Sequence, residues 1–260
     1  MTDPPDDPAV RYEAAAGVAT VTLNQPDARN VLNATTLPLL LDALQRAAVD
    51  DTVRVVVLTG AGSAFCAGAD LREAQLGTGF AGDAPRMLVG VLEALLDHPK
   101  PTVARVQGHV AGGGNGLVAA CDLAVAAEGA RFAFSEVRVG VAPAVISVVC
   151  LRVMSPRDAA ELMLTGERVS ADRALRAGLL TAVVEADALD ATVGSLAEQL
   201  MQGGPSALAA TKQLLRTVPT LDRDRAFAWT AELSGSLFGS AEAAEGMRAF
   251  VERRPPSWRL

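Results

Sequence analysis

The chain has 260 residues, half of them hydrophobic and 20% charged, with a formal net charge of −7. That length suits one large domain, or a domain with an appendage, with a sizeable core, and the acidic balance excludes the extended basic face that nucleic-acid binding needs. No apolar run approaches the roughly 18 residues of a membrane span, so no membrane partner is expected.

The first eight residues, MTDPPDDP, are acidic and proline-rich, the reverse of a secretory or transit leader. Residues 1–9 are expected to form a disordered acidic tail, and the expected location is cytoplasmic. Residues 18–26, VATVTLNQP, alternate and are rich in β-branched side chains, which predicts a strand closed by a loop. Asn33 is placed to cap a helix running to about Val49, with Leu37, Leu40, Leu41 and Leu44 on its apolar face. VRVVVLTG, residues 53–60, predicts a buried strand. AGSAFCAGADL follows as a small-residue loop leading into a short helix, and residues 77–83 as a mobile loop. Residues 85–97 read as a helix ended by Pro99 and Pro101, and TVARVQG as the next strand. LAVAA and ARFAFSE read as strands, residues 143–154 and 156–164 as helices, and ADRALRAGLLTAVV as helix, glycine stop and strand. Beyond Leu189 only helix signals remain, interrupted at residues 203–205 and near Pro219. The pattern is an α/β region over residues 10–188 and a helical region over 189–260. The sheet is either a spiral of strand–strand–helix units or doubly wound.

Several chemistries are absent or weak. Cys66, Cys121 and Cys150 are far apart and set among apolar residues, which suits reduced core thiols. His98 and His109 have no ligand spacing, so no metal site is expected. GTGFAG, residues 77–82, matches a dinucleotide fingerprint but follows a helical segment rather than a strand. No G-K-[ST] and no G-x-S-x-G occurs. What stands out is a pair of glycine-containing turns, AFCAGAD and VAGGGNG, each after a strand and before a helix. Free N–H groups at two converging helix starts would make a two-donor oxyanion hole. Tight helix packing is the other reading of the same glycines.

The segments RNVLN, VRVVVLTGAGSAFCAGADL, VQGHVAGGGNGLVAACDLAVAAEGARFAFSEVRVGVAP, LTGERVSADRALRAGLLTAVV and GMRAFVERRPPSW follow one another in the order of the enoyl-CoA hydratase/isomerase (crotonase) family, which the chain resembles over nearly its whole length. The resemblance implies a spiral of β-β-α units, a helical C-terminal trimerisation region and a CoA thioester substrate, with no cofactor beyond that CoA. It also implies a homotrimer or a dimer of trimers. It places the two oxyanion donors at the backbone of Ala67 and Gly113 and the proton-handling carboxylate at Glu136. The family's other glutamate falls on Gly116 and is missing. A single glutamate suits a hydratase in which Glu136 orients water and relays its proton, or a Δ3,Δ2-enoyl-CoA isomerase. A non-catalytic acyl-CoA binder is a further alternative.

The surrounding sequence resembles a bacterial branch acting on branched or carboxylated acyl groups. A cation for such a carboxylate would be Arg138 or Arg86. Arg29 and Lys212 are placed by resemblance toward the CoA phosphates. Ala69, Asp70 and Leu71 lie in the ligand-binding loop, where Asp70 also suits a helix cap. Met87 and Leu88 would line the acyl channel, and Asp122 is expected to satisfy nearby backbone N–H groups.

Overall fold

The computed structural model describes residues 7–259. Strands β1 (Val10–Ala15) and β2 (Val18–Leu23) form an antiparallel hairpin, and helix α1 (Thr36–Val49) follows. From there the strands come in pairs. The first of each pair, β3 (Val55–Gly60), β5 (Thr102–Val106) and β7 (Leu123–Ala127), joins one sheet. The second of each, β4 (Ala64–Cys66), β6 (His109–Ala111) and β8 (Arg131–Ala133), joins another. Helices α2 (Leu71–Gln75) and α3 (Ala84–Leu96) follow the first pair, and α4 (Gly113–Ala120) the second. A 3-10 turn over Ser135–Val139 and then α5 (Ala144–Val153) follow the third. This is the spiral of β-β-α units rather than a doubly wound sheet.

The remaining elements are α6 (Pro156–Thr165), β9 (Arg168–Ser170), α7 (Ala171–Arg176), β10 (Ala182–Val184) and four further helices. These are α8 (Leu189–Met201), α9 (Pro205–Thr217), α10 (Arg223–Phe238) and α11 (Ala241–Glu252). The sheets run in the orders β1-β2-β3-β5-β7-β10 and β4-β6-β8-β9.

β3 is buried along its whole length because both of its faces are covered, which requires an unbroken apolar run. Val56 and Leu58 face the main core with Leu40 and Leu44 of α1 and Val91 and Leu95 of α3. Val55 and Val57 face the other way, with Val103, Val125 and the Leu189, Val193 and Ala197 of α8. The expected division after residue 188 therefore separates α8 from the sheet it covers.

Other expectations are corrected locally. Within AGSAFCAGADL the chain makes strand β4, and a 3-10 turn covers Gly79–Ala81 in the expected loop. α1 starts three residues after Asn33, yet Asn33 still serves its end, since its Oδ1 accepts from the N–H groups of Thr35 and Thr36 at 3.0 and 2.8 Å. Residues 1–6 of the expected tail lie outside the described residues. The carbonyls of Pro8 and Ala9 are tied to Asn24 at 3.1 and 2.7 Å. Among the described residues no helix is long and apolar enough to cross a membrane.

Candidate active site

β4, β6 and β8 lie side by side and run parallel, so the chain leaves all three at one end of their sheet. The end of a parallel sheet where the strands terminate is where loops and helix starts converge on a ligand. Here those segments are the turn at Gly68, the turn at Gly112 and the 3-10 turn that carries Glu136.

The two glycine turns touch. Gly68 has φ 85° and Gly112 has φ 50°, a region that side chains rarely enter. A Cβ on Gly68 would stand 2.8 Å from the Ala111 carbonyl oxygen, and one on Gly112 would stand 3.6 Å from both Gly68 Cα and Glu136 Oε1. Bare backbone is what lets these turns meet with the carboxylate beside them. Leu32 joins them from a third direction. Its N–H donates to Gly68 O at 2.7 Å, its carbonyl accepts from Asp70 N–H at 3.0 Å, and its Cδ1 packs on Gly113.

These contacts decide which amides are free. Ala67 N–H, the donor expected from the sequence, is committed to the Arg29 carbonyl at 3.0 Å. The amides of Gly68 and Asp70 are engaged with Cys66 Sγ and Leu32 O. Ala69 N–H, between them, has no partner among the described residues. Gly113 opens α4, so its N–H has no partner within the helix, and none is found elsewhere among the described residues. The free pair is therefore Ala69 and Gly113, a two-residue shift from the expected Ala67 and Gly113.

Glu136 is half-buried on the 3-10 turn rather than on a strand, because β8 stops at Ala133. Its Oε2 is buried and has no hydrogen-bond partner among the described residues. Burial pushes its carboxyl above the ordinary glutamate range, opposed only by a hydrogen bond from its own backbone N–H. A carboxyl of this kind can hold or release a proton nearer neutrality than an exposed one. Cys150 lies near it, and burial first and Glu136 second keep that thiol protonated. Burial pushes the thiols of Cys66 and Cys121 up to about 12, so all three are inert core thiols.

The space where a side chain at 116 would project is filled with hydrocarbon. A Cβ on Gly116 would stand 2.5 Å from Ile146 Cγ2 and 3.6 Å from Leu92 Cδ2. Nothing in the sequence pattern pointed to Ile146, because it lies on α5, thirty positions beyond Gly116 in the chain.

The other candidates are distributed as follows. Leu88 is buried and reaches Gly113, whereas Leu71 and Met87 are 52% and 36% exposed. Asp70 caps α2, its Oδ1 accepting from Arg72 N–H at 2.9 Å. Arg29 is exposed on a left-handed backbone, and Arg86 is exposed on α3. Arg138 is turned toward the end of α6, where its Nε donates to Thr165 O at 3.2 Å. Lys212 is not placed with the glycine turns. Its ammonium is bound by the Asp122 carboxylate and the Lys100 carbonyl, beyond the opposite end of α4 from Gly113. Asp122 also accepts from Thr102 N–H at 2.7 Å, so it anchors backbone as expected. Among the described residues no group of three or more His, Cys, Asp or Glu side chains could hold a metal.

Two free amides beside one buried, unpaired carboxyl define a site able to polarise a carbonyl and move a proton on the neighbouring carbons. Comparison with known proteins identifies the family. The family model for enoyl-CoA hydratase/isomerase matches residues 13–260. The (E)-benzylidenesuccinyl-CoA hydratase of Thauera aromatica is 34% identical over 255 residues, covering 96% of this chain and 98% of that protein. The short-chain-enoyl-CoA hydratase of Clostridium acetobutylicum is 34% identical over 254 residues, covering 94% and 95%. The crystal structure of an enoyl-CoA hydratase from Mycobacterium smegmatis superposes with a TM-score of 0.92 at 35% identity, covering 98% of this chain and all of that one. The chain belongs to the enoyl-CoA hydratase/isomerase family.

Proposed function

We propose that the protein is a hydratase that adds water across the C2=C3 bond of an enoyl-CoA thioester using Glu136 as its one proton-handling carboxylate. The thioester oxygen accepts from Ala69 N–H and Gly113 N–H, which draws electron density from the double bond and stabilises the negative charge that develops on oxygen. Ionised Glu136 takes a proton from water as the water oxygen bonds to C3. The resulting acid returns that proton to C2, so hydroxyl and hydrogen are added and the carboxylate is regenerated. The single observation that carries this reading is the Glu136 carboxyl, whose Oε1 lies beside Gly112 and whose Oε2 is buried with no hydrogen-bond partner among the described residues.

Glu136→Gln tests it. The amide keeps the shape and cannot exchange a proton at neutral pH. Turnover of crotonyl-CoA and of a branched enoyl-CoA should fall by about 10²–10⁴, with thioester binding retained in a titration. Wild-type turnover by this variant would overturn the mechanism. A second reading, isomerisation between C2 and C4 by the same carboxylate, is favoured by Ile146, which puts hydrocarbon where a second acid would stand. A 3-enoyl-CoA turned over faster than its 2-enoyl isomer would select it. Binding without turnover of either would mean a non-catalytic acyl-CoA binder.

A further inference from the structure

Asn115 is a polar residue with no exposed surface, in the first turn of α4 two residues beyond Gly113. Its Nδ2 donates to the Ala133 carbonyl at 2.8 Å. The same oxygen accepts from Gly112 N–H at 3.1 Å. One carbonyl at the end of β8 is thus held by two donors from the turn that presents Gly113. Glu136 follows three residues later in the same chain direction. The Asn115 backbone also reaches α5, where its carbonyl accepts from Cys150 Sγ at 3.7 Å.

The orientation of the amide is fixed by its partner, because a carbonyl oxygen can only accept. Nδ2 must face Ala133, and Oδ1 is left buried with no donor among the described residues. A buried acceptor without a partner is destabilising, and an apolar side chain of the same size would avoid it. The tie to Ala133 is what an apolar side chain could not make.

We infer that Asn115 is a positioning residue that sets the separation between the Gly113 amide and the Glu136 carboxyl by clamping the Ala133 carbonyl. The inference rests on Glu136 being the proton-handling group. Without the clamp, the Ala133 carbonyl keeps only the Gly112 N–H, and the three-residue lead to Glu136, which leaves β8 beyond its pairing with Arg168, can shift about that bond. Misplacement of a reacting group by about 1 Å can lower a rate by about 10²-fold.

The test uses the full-length protein with two substitutions. Asn115→Leu keeps the volume and removes the donor. Asn115→Ala removes the donor and adds no volume. Both should lower kcat by about ten- to a hundred-fold while KM for the enoyl-CoA changes little. In Asn115→Leu the pH at which the acid limb of kcat falls should also move, because the surroundings of Glu136 change. Wild-type kcat in either folded variant would overturn the inference. So would a fall in melting temperature with the kcat-to-KM balance and pH profile unchanged, which is the mark of a purely structural tie. If Asn115→Leu does not fold, Asn115→Ala decides by the same readings. Glu136→Gln run in parallel separates the two claims. Its inactivity beside an unaffected Asn115→Leu would sink the positioning role alone, whereas its full activity would remove the mechanism and this role together.

Discussion

Every residue of the eight-residue helix α4 is buried, whereas none of the sixteen in α10 is. α4 has little that favours it locally. Gly113, Gly114 and Gly116 each lower helix stability by about 1 kcal/mol relative to alanine, and no side chain caps its start. Its support is tertiary, with Leu32 against Gly113, Cys66 against Gly114 and Ile146 against Gly116. The open N-terminus is left available to a ligand. α10 is the reverse. Asp222 caps it, its Oδ1 accepting from Arg225 N–H at 2.9 Å. It leaves Phe227 and Phe238 69% and 71% exposed, and Phe250 on α11 is 84% exposed. A helix with so much uncovered aromatic surface is built to be covered by another surface. We propose that further copies of the chain cover it, as a trimer. One helix is sacrificed locally to present backbone; the other is secured locally to present side chains.

The contrast can be broken first at the turns. Gly68→Ala would place a Cβ 2.8 Å from the Ala111 carbonyl on a backbone with φ 85°. The Ala69 and Gly112 turns should be forced apart, lowering kcat by about 10²–10³, the usual worth of an oxyanion donor. Steady-state kinetics on the folded variant reads this, and unchanged kcat would remove the turn from the site.

The next effect is on stability. Gly116→Glu has no room beside Ile146 and should destabilise by about 1–3 kcal/mol from overpacking alone. Ile146→Ala should relieve part of that clash. The double variant then loses less than the sum of the singles in denaturant unfolding. Strict additivity would show that α5 does not fill the space.

For α10, replacing Phe227 and Phe238 together with glutamate should leave monomer stability nearly unchanged, because neither is buried in the chain. Light scattering should shift from about three times the monomer mass toward the monomer, as expected for a closed symmetric assembly losing its interface. A wild-type protein that is already monomeric would end the proposal.

The smallest effect is a pH dependence. Burial raises the Glu136 pKa in the folded chain, so the folded state binds more protons than the unfolded state just above the ordinary glutamate range. Stability attributable to this group is present below its unfolded pKa and is lost as pH rises through the folded value. Glu136→Gln should therefore raise the melting temperature at pH 7 relative to wild type, and the gain should vanish at pH 4. An equal gain at both pH values would mean that burial of the charge is not its source.

The long strands were legible because they are buried on two faces, and the run VVVLTG shows it. The three-residue strands β4 and β9 were not, since three residues carry no period. ARFAFSE was read as one strand, but β8 pairs only through Ala133, leaving Glu136 on a turn. The glycine turns were visible as turns. Which amide in them stays free was not, because Ala67 is engaged by the carbonyl of Arg29, far away in sequence. Lys212 was placed toward the CoA phosphates by resemblance, and its partner Asp122, ninety residues earlier, was not visible in the sequence.

The amides of Ala69 and Gly113 also bear on descent. Codons specify side chains, so a cradle made of main chain is open to mutation only where a substitution bends it, as at Gly68 or Gly112. An inherited substitution at 116, 136 or 146 would therefore change the groups around the cradle and leave its amides in place.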